Sequence, residues 1–387
     1  MKTYNIIPVV LVLLALSACK KQSGVEQTAP FYKLPADGMT FKASNAGGAV
    51  KSRFQDISQS GQLVWDENDN LAVYAVDPSA EDITTSVVSG LAYINPAFDG
   101  QVNAEFQSVL TENQWFDGAA SKWFFATYPC YDVIVQQKLQ KFEGEDWKEY
   151  ILPVQVPSNQ EYACGFQTYQ TLVSSGGVFS PGETVSFGTF TPVTSLIRFR
   201  LRSKTGSSCN VQEIRFSYGY EYLSSYGCDN HYLQSEPGFH LSGVDLLKVD
   251  PTTRTISDLD YLDNYNGSSY VEMEFLAGGP DPMGGVSING DYSDYFYLVV
   301  MPTRSLPAGK DMLLQVEAEY YELWDNNYKG NAYQLKVPVP DALQSGFEAG
   351  KCYSFGITLD EGFLSVGYEG SCAIGEYTID TQWGQED

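Results

Sequence analysis

The run Leu196-Ile197-Arg198-Phe199-Arg200-Leu201-Arg202 alternates without a break. Ile197, Phe199 and Leu201 fall on one side and three arginines on the other. A strand produces this because successive side chains point to opposite faces, and the 3.6-residue period of a helix does not. Leu314, Val316, Ala318 and Tyr320 repeat the pattern against Gln315, Glu317 and Glu319, while Leu71-Ala72-Val73-Tyr74-Ala75-Val76 and Trp123-Phe124-Phe125-Ala126-Thr127-Tyr128 have the length and residue types of strands. Turn-forming clusters punctuate such runs at Glu67-Asn68-Asp69-Asn70, Ser174-Ser175-Gly176-Gly177, Asn264-Tyr265-Asn266-Gly267 and Gly278-Gly279-Pro280-Asp281-Pro282. Helical periodicity is scarce. The sequence therefore predicts an all-β chain of antiparallel sandwiches.

The N-terminus has a different grammar. Lys2, the apolar run 6–16 and Leu16-Ser17-Ala18-Cys19 give a charged n-region, an h-region and a small-residue cleavage site ending in cysteine. The run is about half the ~20 residues that span hydrocarbon. The expectation is a bacterial lipoprotein signal over 1–18, with Cys19 lipidated by diacylglycerol and palmitate and the chain exported to the outer membrane on that lipid. Residues 19–39 lack periodicity and read as a tether. With 387 residues the chain exceeds the roughly 250 at which single cores stop growing, so two domains are expected. Gly176-Gly177 and Pro181-Gly182 place the break between an N-terminal sandwich over 40–178 and a C-terminal one over 183–387.

Composition removes several functions. A formal net charge of −25 opposes binding to nucleic acid, which needs clustered Lys and Arg to replace counterions. Neither G-x-x-x-x-G-K-[ST] nor a strand-linked G-x-G-x-x-G occurs, so no nucleotide cofactor is expected. A Ser-His-Asp arrangement would have to use His231 or His240, and no G-x-S-x-G accompanies either; both are expected to cap loops or sit at the surface. No metal site is expected: Asp258, Asp260, Asp263, Asn264 and Asn266 make the densest oxygen cluster but lack EF-hand spacing, and read as a solvated turn. Besides Cys19 there are Cys130, Cys164, Cys209, Cys228, Cys352 and Cys372, an even set that suits disulfides or buried thiols equally. Trp115-Phe116 and Tyr218, Tyr220 and Tyr222 have the chemistry to stack on sugars, although in a chain with 27 Tyr core packing is the simpler role.

Several motifs in order resemble one family. The lipobox, Thr40-Phe41-Lys42-Ala43, Trp65-Asp66-Glu67-Asn68-Asp69 and Phe125-Ala126-Thr127-Tyr128-Pro129 are similar to the fimbrillin-like lipoproteins of anaerobic Gram-negative bacteria. So are Phe187-Gly188-Thr189-Phe190 before Leu196-Ile197-Arg198-Phe199, Lys351-Cys352-Tyr353-Ser354-Phe355, and Thr378-Ile379-Asp380-Thr381-Gln382-Trp383. Thr191-Pro192 stands where that family often has a histidine. The resemblance implies two transthyretin-like β-sandwich domains and a non-enzymatic pilus subunit that serves adhesion. It also implies assembly by donor-strand exchange after a maturation protease removes the first strand. Implied partners are other pilus subunits, that protease, the outer membrane through lipid, and a surface receptor, with the fimbrium at the cell surface as destination.

Two segments are candidates for that assembly. The resemblance implies that this protease is trypsin-like and often arginine-directed; Arg53 is the first arginine and precedes the next, Arg198, by the whole N-terminal region, which makes it the candidate cleavage site. The alternating stretches containing Phe363 and Val366, then Tyr377 and Ile379, and finally Trp383, form the candidate donor segment. The rival reading is a monomeric surface lipoprotein that binds glycans. A glycoside hydrolase is a third class, because 48 acidic residues supply many carboxylate pairs.

Overall fold

A computed structural model describes residues 34–45, 65, 69–128, 138–143, 148–162, 171–204, 209–222, 229–230, 239–259, 267–275, 285–306, 311–322, 327–337, 339–360 and 363–373. Among these the regular structure is almost wholly β, with α-helices of 4 and 5 residues at α1 (Ile83–Ser86) and α2 (Glu112–Phe116).

In chain order, β1 (Gly38–Asn45), β2 (Asn70–Val76), β3 (Val88–Ile94), β4 (Asn103–Thr111) and β5 (Lys122–Tyr128) come first. Next are β6 (Gln140–Glu143), β7 (Lys148–Val156) and β8 (Asn159–Tyr162), which join other sheets; β9 (Leu172–Phe179) and β10 (Val185–Pro192) return to the first group. That group closes into a barrel in the order β1-β10-β9-β5-β2-β3-β4. The chain continues through β11 (Ser195–Ser203), β12 (Cys209–Tyr222), β13 (Asp229–Asn230), β14 (Gly243–Asp250), β15 (Thr255–Leu259) and β16 (Tyr270–Phe275). It finishes with β17 (Val286–Ile288), β18 (Phe296–Val300), β19 (Asp311–Glu322), β20 (Asn327–Val337), β21 (Lys351–Asp360) and β22 (Phe363–Ala373). The sheet β18-β11-β21-β22 shares a core with the longer sheet β20-β19-β12-β16-β8, and a further sheet runs β15-β14-β7-β6.

β11 has the alternation its sequence predicts: Ile197, Phe199 and Leu201 are fully buried, and Arg198, Arg200 and Arg202 are half-exposed. β2 and β5 are instead buried on both faces. Phe124 points into the barrel, where it meets Phe41, Trp115 and Phe116. Its neighbour Phe125 lies on the opposite face, stacked on Tyr74 at 5.0 Å and beside Trp123 at 4.7 Å. The same core continues to Leu152 and Val154 of β7 and Leu247 and Val249 of β14, so the third sheet covers the aromatic outer wall of the barrel.

The glycines and proline that mark a break at 174–182 have a local use. Gly176 has φ +52 and lets β9 run close against the carbonyl of Phe124, and Ser180 to Glu183 form a turn with Glu183 N–H donating to Ser180 O at 3.1 Å. That turn joins β9 to β10, which pair with each other through Val173↔Thr191 and Leu172↔Pro192. The passage from barrel to second core is at Val193 and Thr194, immediately before Leu196 and Ile197 divide between the two cores. β7 pairs with β14 and β8 with β16, so the two halves of the chain share sheets.

Candidate functional site

The strand predicted around Thr40-Phe41-Lys42-Ala43 is β1, and it closes the barrel. It lies between β4, to which it is antiparallel through Phe41↔Phe106 and Lys42↔Glu105, and β10, to which it is parallel through Phe41↔Val185 and Lys42↔Ser186. Its side chains alternate: Met39, Phe41 and Ala43 are buried, whereas Thr40 and Lys42 are exposed. A turn positions its start, with Gly38 N–H donating to Pro35 O at 3.0 Å and Gln107 Nε2 to the same oxygen at 2.8 Å. Gly38 is needed there because a Cβ would run into the Ser108 carbonyl.

Phe41 is the centre of the seam. It is 0% exposed, and its ring lies 5.5 Å edge-on from Trp115, 5.4 Å from Phe187 and 6.1 Å from Phe124. Trp115 is held by Nε1 donating to Ser108 Oγ at 2.8 Å. Aromatic pairs in these geometries are favourable beyond their buried area. Loss of β1 would uncover this pocket and leave the facing N–H and C=O groups of β4 and β10 unpaired, which is a site for an incoming extended segment.

After β1, the next described residue is Trp65. It is fixed independently of β1: its N–H donates to Gln101 O at 2.9 Å, its carbonyl accepts from Gly100 N–H at 2.8 Å, and Nε1 donates to Val102 O at 3.1 Å. Its ring packs edge-on against Phe106, Tyr128 and Phe190. The candidate cleavage residue Arg53 falls in the intervening sequence and lies outside the described residues.

The other candidates are scattered. Cys19, Tyr377, Ile379, Trp383, His231, Asp260, Asp263, Asn264, Asn266, Cys130, Cys164 and Cys228 lie outside the described residues, and Asp258 is in β15. Phe363 and Val366 are in β22, which pairs along its length with β21; Val366 packs on the second core. Cys209 and Cys352 are buried, and Cys352 stands in register with Cys372. His240, expected to cap a loop or sit at the surface, is 2% exposed, and Gly267, which has no Cβ, packs directly on it. Trp115, Phe116 and Tyr218 are buried and present no face to a sugar. Burial pushes the Tyr218 hydroxyl up to about 12, and it donates to Arg304 O at 3.0 Å. Two participants had no sequence signal as partners of β1 or of an edge: β10, whose pairing is non-local, and Gln160, whose amide pairs with Val299 on the outer edge of β18.

No protein-family model matches the chain, and no curated protein matches it. Solved structures do align with it. A candidate cell adhesion protein from Bacteroides uniformis is 13% identical, over 87% of this chain and 98% of that one, with a TM-score of 0.44. A fimbrial protein from Bacteroides vulgatus is 10% identical over 87% and 99%, with a TM-score of 0.41. The C-terminally truncated tip fimbrial protein Mfa3 from Porphyromonas gingivalis is 9% identical over 87% and 99%, with a TM-score of 0.35. At these scores the likeness carries no argument, and the functional reading rests on the barrel and its seam. By name, these neighbours are fimbrial and adhesion proteins, the class that the ordered motifs of the sequence resemble.

Proposed function

We propose that the chain is a non-catalytic fimbrial subunit. It is exported as a lipoprotein on Cys19 and held at the outer membrane until a protease cuts at Arg53 and β1 departs with the lipid. The slot between β4 and β10 then receives an extended segment from a neighbour. In this reading the two cores are the two transthyretin-like domains, joined at Val193 and Thr194.

The observation that carries the reading is the position of β1. It is the first strand among the described residues, it is hydrogen-bonded on both sides, and it supplies Phe41 to the core, while Trp65 after it has its own anchors, so a cut between them would separate β1 from the rest of the barrel's chain. Since β22 already fills a place in this chain's own sheet, the donor narrows to the sequence around Tyr377, Ile379 and Trp383.

The test is limited cleavage of the full chain with an arginine-specific protease. Cleavage at Arg53 should be followed by a ladder of polymers that resists detergent without boiling, and Arg53→Ala should stay intact between β1 and Trp65 and give no such ladder. A chain cut at Arg53 that runs as one band, or mature polymer whose first residue is Cys19, overturns the mechanism.

A further inference from the structure

The second sandwich carries opposite charge on its two outer faces. On the outer side of β11, aromatic rings and hydrogen bonds hold three guanidinium groups. Arg198 lies 4.5 Å over Tyr295, while Arg200 and Arg202 lie 4.1 and 4.4 Å over Tyr292. Arg200 pairs with Glu369 at 2.8 Å, and the Tyr295 hydroxyl donates to the same carboxylate at 2.9 Å. Arg202 Nε donates to Thr358 Oγ1 at 3.0 Å, and Arg198 Nε to Ser354 Oγ. The face thus sets three arginines against one carboxylate, all half-exposed.

Among the described side chains of β12 and β16, the opposite sheet reverses the ratio. On the outer side of β12 and β16, Arg215 pairs with Glu272 and, at 3.3 Å, with Glu213. Glu213 stands in register with Glu274. Like charges directly opposite across strands are destabilising, and a basic surface laid on them would relieve that cost.

We propose that the arginine face of one copy docks on the Glu213 and Glu274 face of a second copy; the proposal rests on the subunit reading above. The arginines of β11 and the acids Glu272 and Glu274 of β16 recur every second residue, about 6.6–6.8 Å along a strand, so β16 of one copy aligned with β11 of another brings successive pairs together. Held guanidinium planes suit two-pronged pairing with carboxylates. The two faces lie on opposite sides of one sandwich, so the contact is heterologous and propagates head to tail.

Salt alone is a poor test, since the net charge of −25 makes copies repel and screening weakens that repulsion too. Charge reversal separates the two effects. Sedimentation velocity on the uncleaved full chain should show reversible association. Arg202→Glu and Glu274→Arg should each weaken it by about tenfold or more, and the chain carrying both should regain it. Thermal melts check that each variant is folded. A wild-type monomer at all concentrations, or no rescue in the double variant, overturns the proposal. Binding of polygalacturonate that Arg202→Glu abolishes, without self-association, overturns it as well and assigns the face to an acidic polysaccharide. Strand exchange fails or succeeds separately: its polymers need cleavage and survive detergent, and this association does neither.

Discussion

Truncating Phe41 to alanine tests the central element of the seam. The ring is 0% exposed and touches Trp115, Phe187 and Phe124, so the substitution removes a complete buried side chain from the middle of the barrel. Such a deletion costs about 3–5 kcal/mol, against a total of about 5–15 kcal/mol for a typical domain. The control is the next residue. The Lys42 side chain is 56% exposed and its pair with Glu105 is 3.9 Å long, so Lys42→Ala should change stability by about 0.5 kcal/mol or less. Urea unfolding followed by tryptophan emission reports directly, because Trp115 sits at the edge of the Phe41 ring. The same variant should open the seam more often: 3 kcal/mol is about a hundredfold in the open population, and cleavage that requires an open β1 should accelerate accordingly. A loss under about 1 kcal/mol for Phe41→Ala, or equal effects at positions 41 and 42, would show that β1 does not hold the barrel shut.

Replacing Gln160 by leucine should strand Val299: the amide donates to its carbonyl at 2.7 Å and accepts from its N–H at 2.9 Å, so the cost is about 1–3 kcal/mol per orphaned group, seen in urea unfolding and in faster exchange of the Val299 amide. Unchanged exchange there would refute it. Ending the chain after Asp360 removes β22 and should unfold the second core, while ending it after Ala373 should leave circular dichroism native and abolish the polymer ladder; a folded chain ending at Asp360 contradicts the assigned pairing. Asp82 accepts from Thr84 and pairs with Lys141 of β6 at 2.8 Å, and Lys141 is the main reason its carboxyl is held at about 2, below the ordinary 3.8. That depressed value contributes stability fully present above about pH 4 and lost as pH falls through 2, so melts across that window should be steeper for wild type than for Asp82→Asn, and equal slopes would remove Asp82 from the acid response.

Strands whose two faces meet different surroundings were legible in the sequence, and β11 is the clearest. Ile197, Phe199 and Leu201 face a core while Arg198, Arg200 and Arg202 meet water, so the residue types record the environment. The runs of β2 and β5 also read as strands, but their outer burial did not, because the cover comes from β7 and β14, remote in sequence. The residues that mark the expected break at 174–182 show a related ambiguity. Gly176 serves a close approach within the barrel, and a turn between paired strands uses the same residues as a linker between domains. β1 was visible as a strand at Thr40-Phe41-Lys42-Ala43 and β10 around Phe187-Gly188-Thr189-Phe190, whereas their parallel pairing was not, since nothing in an alternating run encodes which distant strand it will meet. The burial of His240 was not legible, since the residue packed on it, Gly267, is also distant in sequence.

β1 runs against β4 and along β10, so those two strands run opposite to each other. A barrel emptied of β1 is thereby offered a way to heal itself: β4 and β10 have the relative direction needed to zip together and close a narrower cylinder of one strand fewer. What opposes this is girth. Trp65, Phe106, Trp115, Phe124, Phe187 and Phe190 fill the interior, and a slimmer cylinder has no room for so many rings. The oversized filling would thus act as a strut that keeps a vacated gap at strand width, and under the exchange proposed above the lifetime of a waiting subunit would be set by how long those rings resist being squeezed out.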